Sequence, residues 1–143
     1  MKKLVMAAAI ACAPLAVWAE GVMHKVAVHV NSNDMHVVNM ALNNVENVAA
    51  FYKSQGDDVT IEVVAYGPGL QILLPGKSPV EERIKTMSLA HEHLEFAACG
   101  NTLRKMSEKA GKELTVMEEA SVVPSGVVRL IELQEQGYAY VRP

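Results

Sequence analysis

Basic clusters are missing from this 143-residue sequence, and so, for the most part, is cysteine. The 13 Lys and Arg residues are scattered and are outnumbered by 16 Asp and Glu. A chain with no basic run has little with which to neutralise phosphates, which argues against nucleic acid and anionic membrane surfaces as partners. No internal repeat, low-complexity tract or flexible linker divides the chain, so one domain is expected. No tight His/Cys cluster appears, so neither a metal centre nor a cofactor is expected. There are two cysteines, Cys12 and Cys99.

The first nineteen residues read as an export signal. Lys2 and Lys3 form a basic start, Leu4 to Ala16 is almost wholly apolar, and Val17-Trp18-Ala19 places small residues where signal peptidase reads. Cleavage after Ala19 is expected, with a periplasmic destination. The apolar run falls short of the roughly 20 residues of a membrane span, so no span remains after cleavage. Removing nineteen residues, two of them lysines, from 143 leaves 124, with 11 basic and 16 acidic side chains and a net charge near −5. A single domain over residues 20–143 can build a real core at that length. Its one cysteine is Cys99, so an internal disulfide is excluded. A lone thiol in an oxidising compartment is either buried and inert or functional and guarded.

The remaining chain alternates between apolar runs and amphipathic stretches. Strands are expected at His24 to Asn31, Thr60 to Tyr66, Leu94 to Cys99, Glu113 to about Glu118 with a further piece at Ala120 to Val123, and Tyr138 to Arg142. Helices are expected at Met35 to Gln55, capped by Asn33 or Asp34 and closed by Gly56, and at Pro79 to His91, with Ser78 as cap and Pro79 in the first position. Two more are expected at Thr102 to Ala110 and from Pro124-Ser125-Gly126 to Gly137. Alternation of this kind points to an α/β protein, a three-layer α/β/α sandwich around a mostly parallel five-stranded sheet. The strands are near-continuous apolar runs, as a sheet covered on both faces requires.

Ligands in such folds bind outside the carboxyl ends of the strands. Those ends carry Asn31-Ser32-Asn33-Asp34, Tyr66-Gly67-Pro68-Gly69, Cys99-Gly100-Asn101-Thr102 and Val123-Pro124-Ser125-Gly126. The candidate pocket residues are accordingly Asn31, Asn33, Gly67, Gly69, Gly100, Asn101, Thr102 and Ser125, with Cys99 as the reactive group. A helix N-terminus offers unpaired N–H groups and about half a unit of positive charge, which favours a thiolate over a thiol. Gly100 leaves the backbone open to a ligand, and Asn101 and Thr102 can cap the helix or donate to the sulfur. Arg104 either adds charge or points to solvent. Against this stands the behaviour of free cysteine as a small buried hydrophobe. His91 and His93 precede the strand that ends in Cys99. They belong ~17–20 Å away at its other end, so no cysteine-hydrolase triad forms.

Three segments together resemble the DsrE/DsrF-like family: Val63-Val64-Ala65-Tyr66-Gly67-Pro68-Gly69, Phe96-Ala97-Ala98-Cys99-Gly100-Asn101-Thr102, and Val123-Pro124-Ser125-Gly126-Val127 with Leu133-Gln134-Glu135-Gln136-Gly137-Tyr138-Ala139-Tyr140. The resemblance covers essentially all of the chain beyond the leader. It implies a three-layer α/β/α fold, assembly as a homo-oligomer (trimer or hexamer), and a sulfur-relay or sulfurtransferase role. Cys99 would accept sulfane sulfur as a persulfide from a donor protein and pass it to an acceptor. The alternative is a non-catalytic oligomeric binding module using the same strand-end cleft, with Cys99 structural.

Two further patterns stand out in the sequence. Met35-His36 with Met40, and Met87 with His91, have helical spacings that suit soft copper ligation or, equally, core filling. Leu70-Gln71-Ile72-Leu73-Leu74 follows a sharp turn and is expected to be shared between a subunit interface and a pocket wall.

Overall fold

A computed structural model describes residues 21–143. The expected leader, with Cys12 and the cleavage point after Ala19, lies outside the described residues. The elements run β1 (Met23–Val30), α1 (Met35–Gln55), β2 (Asp58–Ala65), a 3-10 helix (Gly67–Leu73), α2 (Glu81–Ala90), β3 (Leu94–Cys99), α3 (Gly100–Ala110), β4 (Ala120–Val123), α4 (Gly126–Glu135) and β5 (Ala139–Val141). The five strands form one sheet in the order β4-β3-β2-β1-β5. Every pairing is parallel, so the α/β expectation holds and the sheet is wholly parallel.

Strand alternation divides the core in two. Val26, Val28 and Val30 of β1, Ile61, Val63 and Ala65 of β2, and Leu94, Phe96 and Ala98 of β3 share one face. They pack there with Val38, Leu42 and Val45 of α1 and Ile84 and Met87 of α2. The intervening residues Ala27, Val64 and Ala97 form the other face, which Leu130 and Leu133 of α4 cover. Small side chains there let a single helix approach closely. Asp34 caps α1 by accepting the His36 N–H at 2.8 Å. Gly56 ends α1 in the left-handed region at φ +79°, which glycine enters without Cβ strain.

Four expectations are corrected. Residues 113–118 form no strand: Leu114 and Val116 alternate as a strand would, but the segment finds no partner, and Met117 N–H donates instead to the Leu73 carbonyl. Ser78 and Pro79 lie in a turn before α2, where the Ser78 hydroxyl accepts the Val80 N–H, and the helix starts at Glu81. Helix α3 starts at Gly100, with Cys99 rather than Asn101 or Thr102 in the cap position. Leu70, Ile72, Leu73 and Leu74 are buried within this one chain, beneath the sheet face that α1 and α2 also cover. Leu70, Ile72 and Leu73 are core rather than interface, and only Leu74 borders a cleft, with Pro75 and Lys77. The methionines divide likewise: Met87 is core, whereas Met35 and Met40 are exposed. Among the described residues, no group of three or more His, Cys, Asp and Glu side chains is placed to hold a metal ion, and no helix is long and apolar enough to cross a membrane.

Candidate functional site

The parallel register builds the site. Ala65 of β2 pairs with Ala98 of β3, and Cys99 pairs with Val123 of β4. The residues just beyond β2 and β4 therefore flank Cys99. Counting by twos from Val64 and Ala97, Tyr66 and Cys99 face the α4 side of the sheet, where Tyr66 packs on the smaller core cluster. Helix α4 begins at Gly126, in contact with both. A Cβ on Gly126 would lie 2.9 Å from Tyr66 Cδ1 and 3.1 Å from Cys99 Cβ. Glycine is required there by space, since its φ is not in the left-handed region.

Cys99 is buried, with 5% of its surface exposed. Burial pushes its thiol up, but the Thr102 hydroxyl and the backbone N–H groups of Gly126, Thr102 and Asn101 outweigh it and hold the thiol below its ordinary value. These donors come from two helix N-termini, α3 and α4, converging on one sulfur. They face it without closing a capping hydrogen bond. Contacts of this type shorten and strengthen when the acceptor becomes an anion. Thr102 Oγ1 accepts the Gly67 N–H at 3.0 Å. A hydroxyl has one proton and two lone pairs, so this bond occupies a lone pair and leaves the proton for Cys99.

The expected site residues thus separate into two groups. Cys99, Gly100, Asn101, Thr102, Gly67 and Ser125 come together. Asn31, Asn33 and Gly69 do not reach the thiol. Asn33 Nδ2 donates to Gln71 Oε1 at 3.1 Å. A Cβ on Gly69 would collide with the Val30 carbonyl oxygen and sit 3.0 Å from Asn31 Cα, so those two residues close the end of β1 against the 3-10 helix. Arg104 adds nothing to the sulfur's surroundings, for it pairs with Glu108 at 2.7 Å in solvent. Tyr66 and Gly126 were not among the expected site residues, although each stands in a strand-end loop of the right kind. Only the strand order makes them neighbours of Cys99.

Beside this loop, between β4 and α4, lies a cleft of about 280 Å³ lined by Val123, Pro124, Ser125, Val128, Arg129 and Glu132. A second cleft, of about 300 Å³, holds His91, His93, Asp57 and Asp58. It lies at the amino ends of β2 and β3, remote from Cys99, as expected for the histidines.

The profile of the DsrE/DsrF-like family matches residues 24–143. The chain belongs to the DsrE/DsrF-like family. It is also similar to the solved structure of MTH1491, a protein of unknown function from Methanobacterium thermoautotrophicum. The two share 32% identity over 84% of this chain and 99% of that one, with a TM-score of 0.69. No curated protein matches the chain. Membership of this family points to a role of the sulfur-relay type.

The same sheet face holds a titratable group beside the site. His29 is buried, its Nδ1 2.7 Å from the Tyr140 hydroxyl and its ring stacked on Tyr66 at 4.6 Å between centroids. Burial first, and the positive charge of Arg142 second, lower its pKa. A lowered base means that the unfolded chain takes up the proton first as pH falls. His29 therefore contributes stability that is complete above the free histidine value of about 6.5 and is lost progressively below it. The melting temperature is expected to fall between pH 7 and pH 5, and to fall less in His29→Gln. Asp57 and Glu81 are held low chiefly by hydrogen bonds from the Val22 N–H and the Lys85 ammonium respectively. They add their own losses only at more acidic pH.

Proposed function

We propose that this protein carries sulfane sulfur as a persulfide on Cys99. The observation that carries the reading is the convergence of the Thr102 hydroxyl and three backbone N–H groups on a thiol that they hold below its ordinary value. In the transfer, the Cys99 thiolate attacks the outer sulfur of a donor persulfide. A new S–S bond forms, the donor's S–S bond breaks, and the donor leaves as a thiolate with its electron pair. An acceptor thiolate then attacks the outer sulfur on Cys99 and regenerates the Cys99 thiolate. No external oxidant or reductant is needed. The same donors that face the thiolate would stabilise the persulfide anion, and the cleft between β4 and α4 is the approach to it. Incubation with polysulfide should add the mass of one sulfur atom to the peptide containing Cys99, and a low-molecular-weight thiol should remove it. A folded protein that gains no sulfur on Cys99 would sink the proposal.

The competing reading, a binding module with a structural cysteine, draws on the near-complete burial of Cys99. The two readings differ in the rate of alkylation against pH. A persulfide carrier should show a thiol titrating below the roughly 8.5 of free cysteine. An inert core thiol should react slowly throughout. Burial also serves the carrier reading, because a shielded thiol does not easily meet a second thiol and oxidise.

The proposal extends to assembly and location. Val127, Val128 and Ile131 of α4 and Val122 of β4 are each about half exposed. The three on α4 give that helix an apolar outer surface, and Val122 adds an apolar spot on the opposite face of edge strand β4; exposed apolar surface of this kind favours self-association. A trimer or hexamer is expected in sedimentation at micromolar concentration, and Ile131→Glu should shift the population toward monomer. The expected leader places this work in the periplasm, with donor and acceptor proteins there.

A further inference from the structure

The groups that face Cys99 need support of their own, and the end of β2 supplies it twice. The Gly67 N–H orients the Thr102 hydroxyl. One residue earlier, the Tyr66 ring lies against Gly126, where it and Cys99 leave no room for even a Cβ. On its other side the ring rests on His29, a buried imidazole tied at Nδ1 to Tyr140. The backbone of Tyr66 is fixed as well, its N–H donating to the Val30 carbonyl at 3.2 Å and its carbonyl accepting the Gly69 N–H at 3.1 Å. The ring is thus clamped between β1 and the first residue of α4.

We propose that Tyr66 is a positioning residue for Cys99: its ring, backed by His29, holds Gly126 so that the first N–H of α4 faces the sulfur. The proposal rests on the reading of Cys99 as a sulfur-accepting thiolate and deepens it, because it makes the α4 half of the donor set depend on an aromatic ring in β1–β2 packing. The ring does this by shape and stacking. No hydrogen bond involves its hydroxyl among the described residues, so phenylalanine should serve as well as tyrosine. A shorter or non-planar side chain should leave the start of α4 free to move away from the sulfur, and the thiolate would lose one of its donors.

The test is the rate of iodoacetamide alkylation of Cys99 against pH in the full chain, for wild type, Tyr66→Phe, Tyr66→Leu and Tyr66→Ala. Tyr66→Phe should follow the wild-type profile. Tyr66→Leu should move the profile to higher pH by about one unit, a roughly tenfold slower reaction at any pH below the transition, and Tyr66→Ala should move it at least as far. A purely structural role for the ring would lower the melting temperature of these variants and leave the profile in place. Folded Tyr66→Leu protein with the wild-type profile would overturn the proposal. That variant keeps most of the apolar volume, so it carries the test even if Tyr66→Ala does not fold. A wild-type profile at the ordinary thiol value would instead sink the thiolate reading itself, and the two failures are told apart by which protein shows them.

Discussion

Cys99→Ser protein is expected to take up no sulfur at all from polysulfide while keeping its fold. The reasoning is chemical before it is structural. A persulfide needs a sulfur nucleophile, and a serine hydroxyl in the same place does not ionise near neutral pH. The substitution removes one buried sulfur atom's worth of packing, so its cost in stability should be on the order of 1 kcal/mol, well short of unfolding the domain. A graded companion separates the sulfur from its surroundings. In Thr102→Val the hydroxyl that faces Cys99 is lost and the side-chain volume is kept. The strongest of the donors that hold the thiol down disappears, and the thiol should rise toward its ordinary value. Below that transition, sulfur uptake should slow by roughly tenfold for each unit of rise, and Thr102→Ser should restore it. Uptake unchanged in Cys99→Ser would place the sulfur elsewhere, and unchanged rates in Thr102→Val would remove the hydroxyl from the mechanism.

The elements of this fold were legible where local chemistry decides them. Helix α1 shows its apolar stripe, its Asp34 cap and its Gly56 stop, and it forms as expected from Met35 to Gln55. Strand β3 reads as an apolar run ended by small residues, and it forms from Leu94 to Cys99. What failed was non-local. Residues 113–118 have a strand-like alternation, but a strand exists only where another strand pairs with it, and β4 pairs with β3 only from Ala120 onward. Leu70 to Leu74 read as a mixture of interface and pocket wall because a short apolar run beside a Gly-Pro-Gly turn has no periodicity to separate buried 3-10 helix from exposed surface. The site divides in the same way. Thr102 and Asn101 follow Cys99 in sequence and were visible as its donors. Gly126 and Tyr66 reach it only through a strand order that places β2 and β4 on either side of β3, and a single sequence does not display that order.

Arg129 meets its partner Glu62 through the same non-local order, and the largest loss of stability is expected there. Glu62 is the one charged residue inside the apolar stretch of β2, with a side chain 3% exposed. A carboxylate so placed demands a partner. Arg129, one turn into α4, provides it with two parallel bonds, Nε to Oε1 at 2.7 Å and Nη2 to Oε2 at 2.6 Å. The carboxylate in turn holds the guanidinium more firmly charged, with Glu132 a weaker contributor. Such a pair adds little beyond what well-packed apolar residues would, because both ions are taken from water. Breaking it is another matter. Arg129→Ala strands a carboxylate under α4 and should cost about 3–5 kcal/mol, which in urea lowers the unfolding midpoint by about 2 M for a domain of this size. Arg129→Lys keeps the charge but loses the fork and should fall between. The double variant Glu62→Leu/Arg129→Leu should recover most of the loss, since it removes the stranded charge together with its partner. An Arg129→Ala protein within about 0.5 kcal/mol of wild type, the range of an ordinary surface change, would show that Glu62 is solvated rather than buried. The pair also fixes the helix whose first residue faces Cys99. If α4 is held mainly by this ion pair, Arg129→Ala should raise the Cys99 titration as well as the unfolded fraction. If the Tyr66 ring holds the helix start, the titration should stay in place while stability falls.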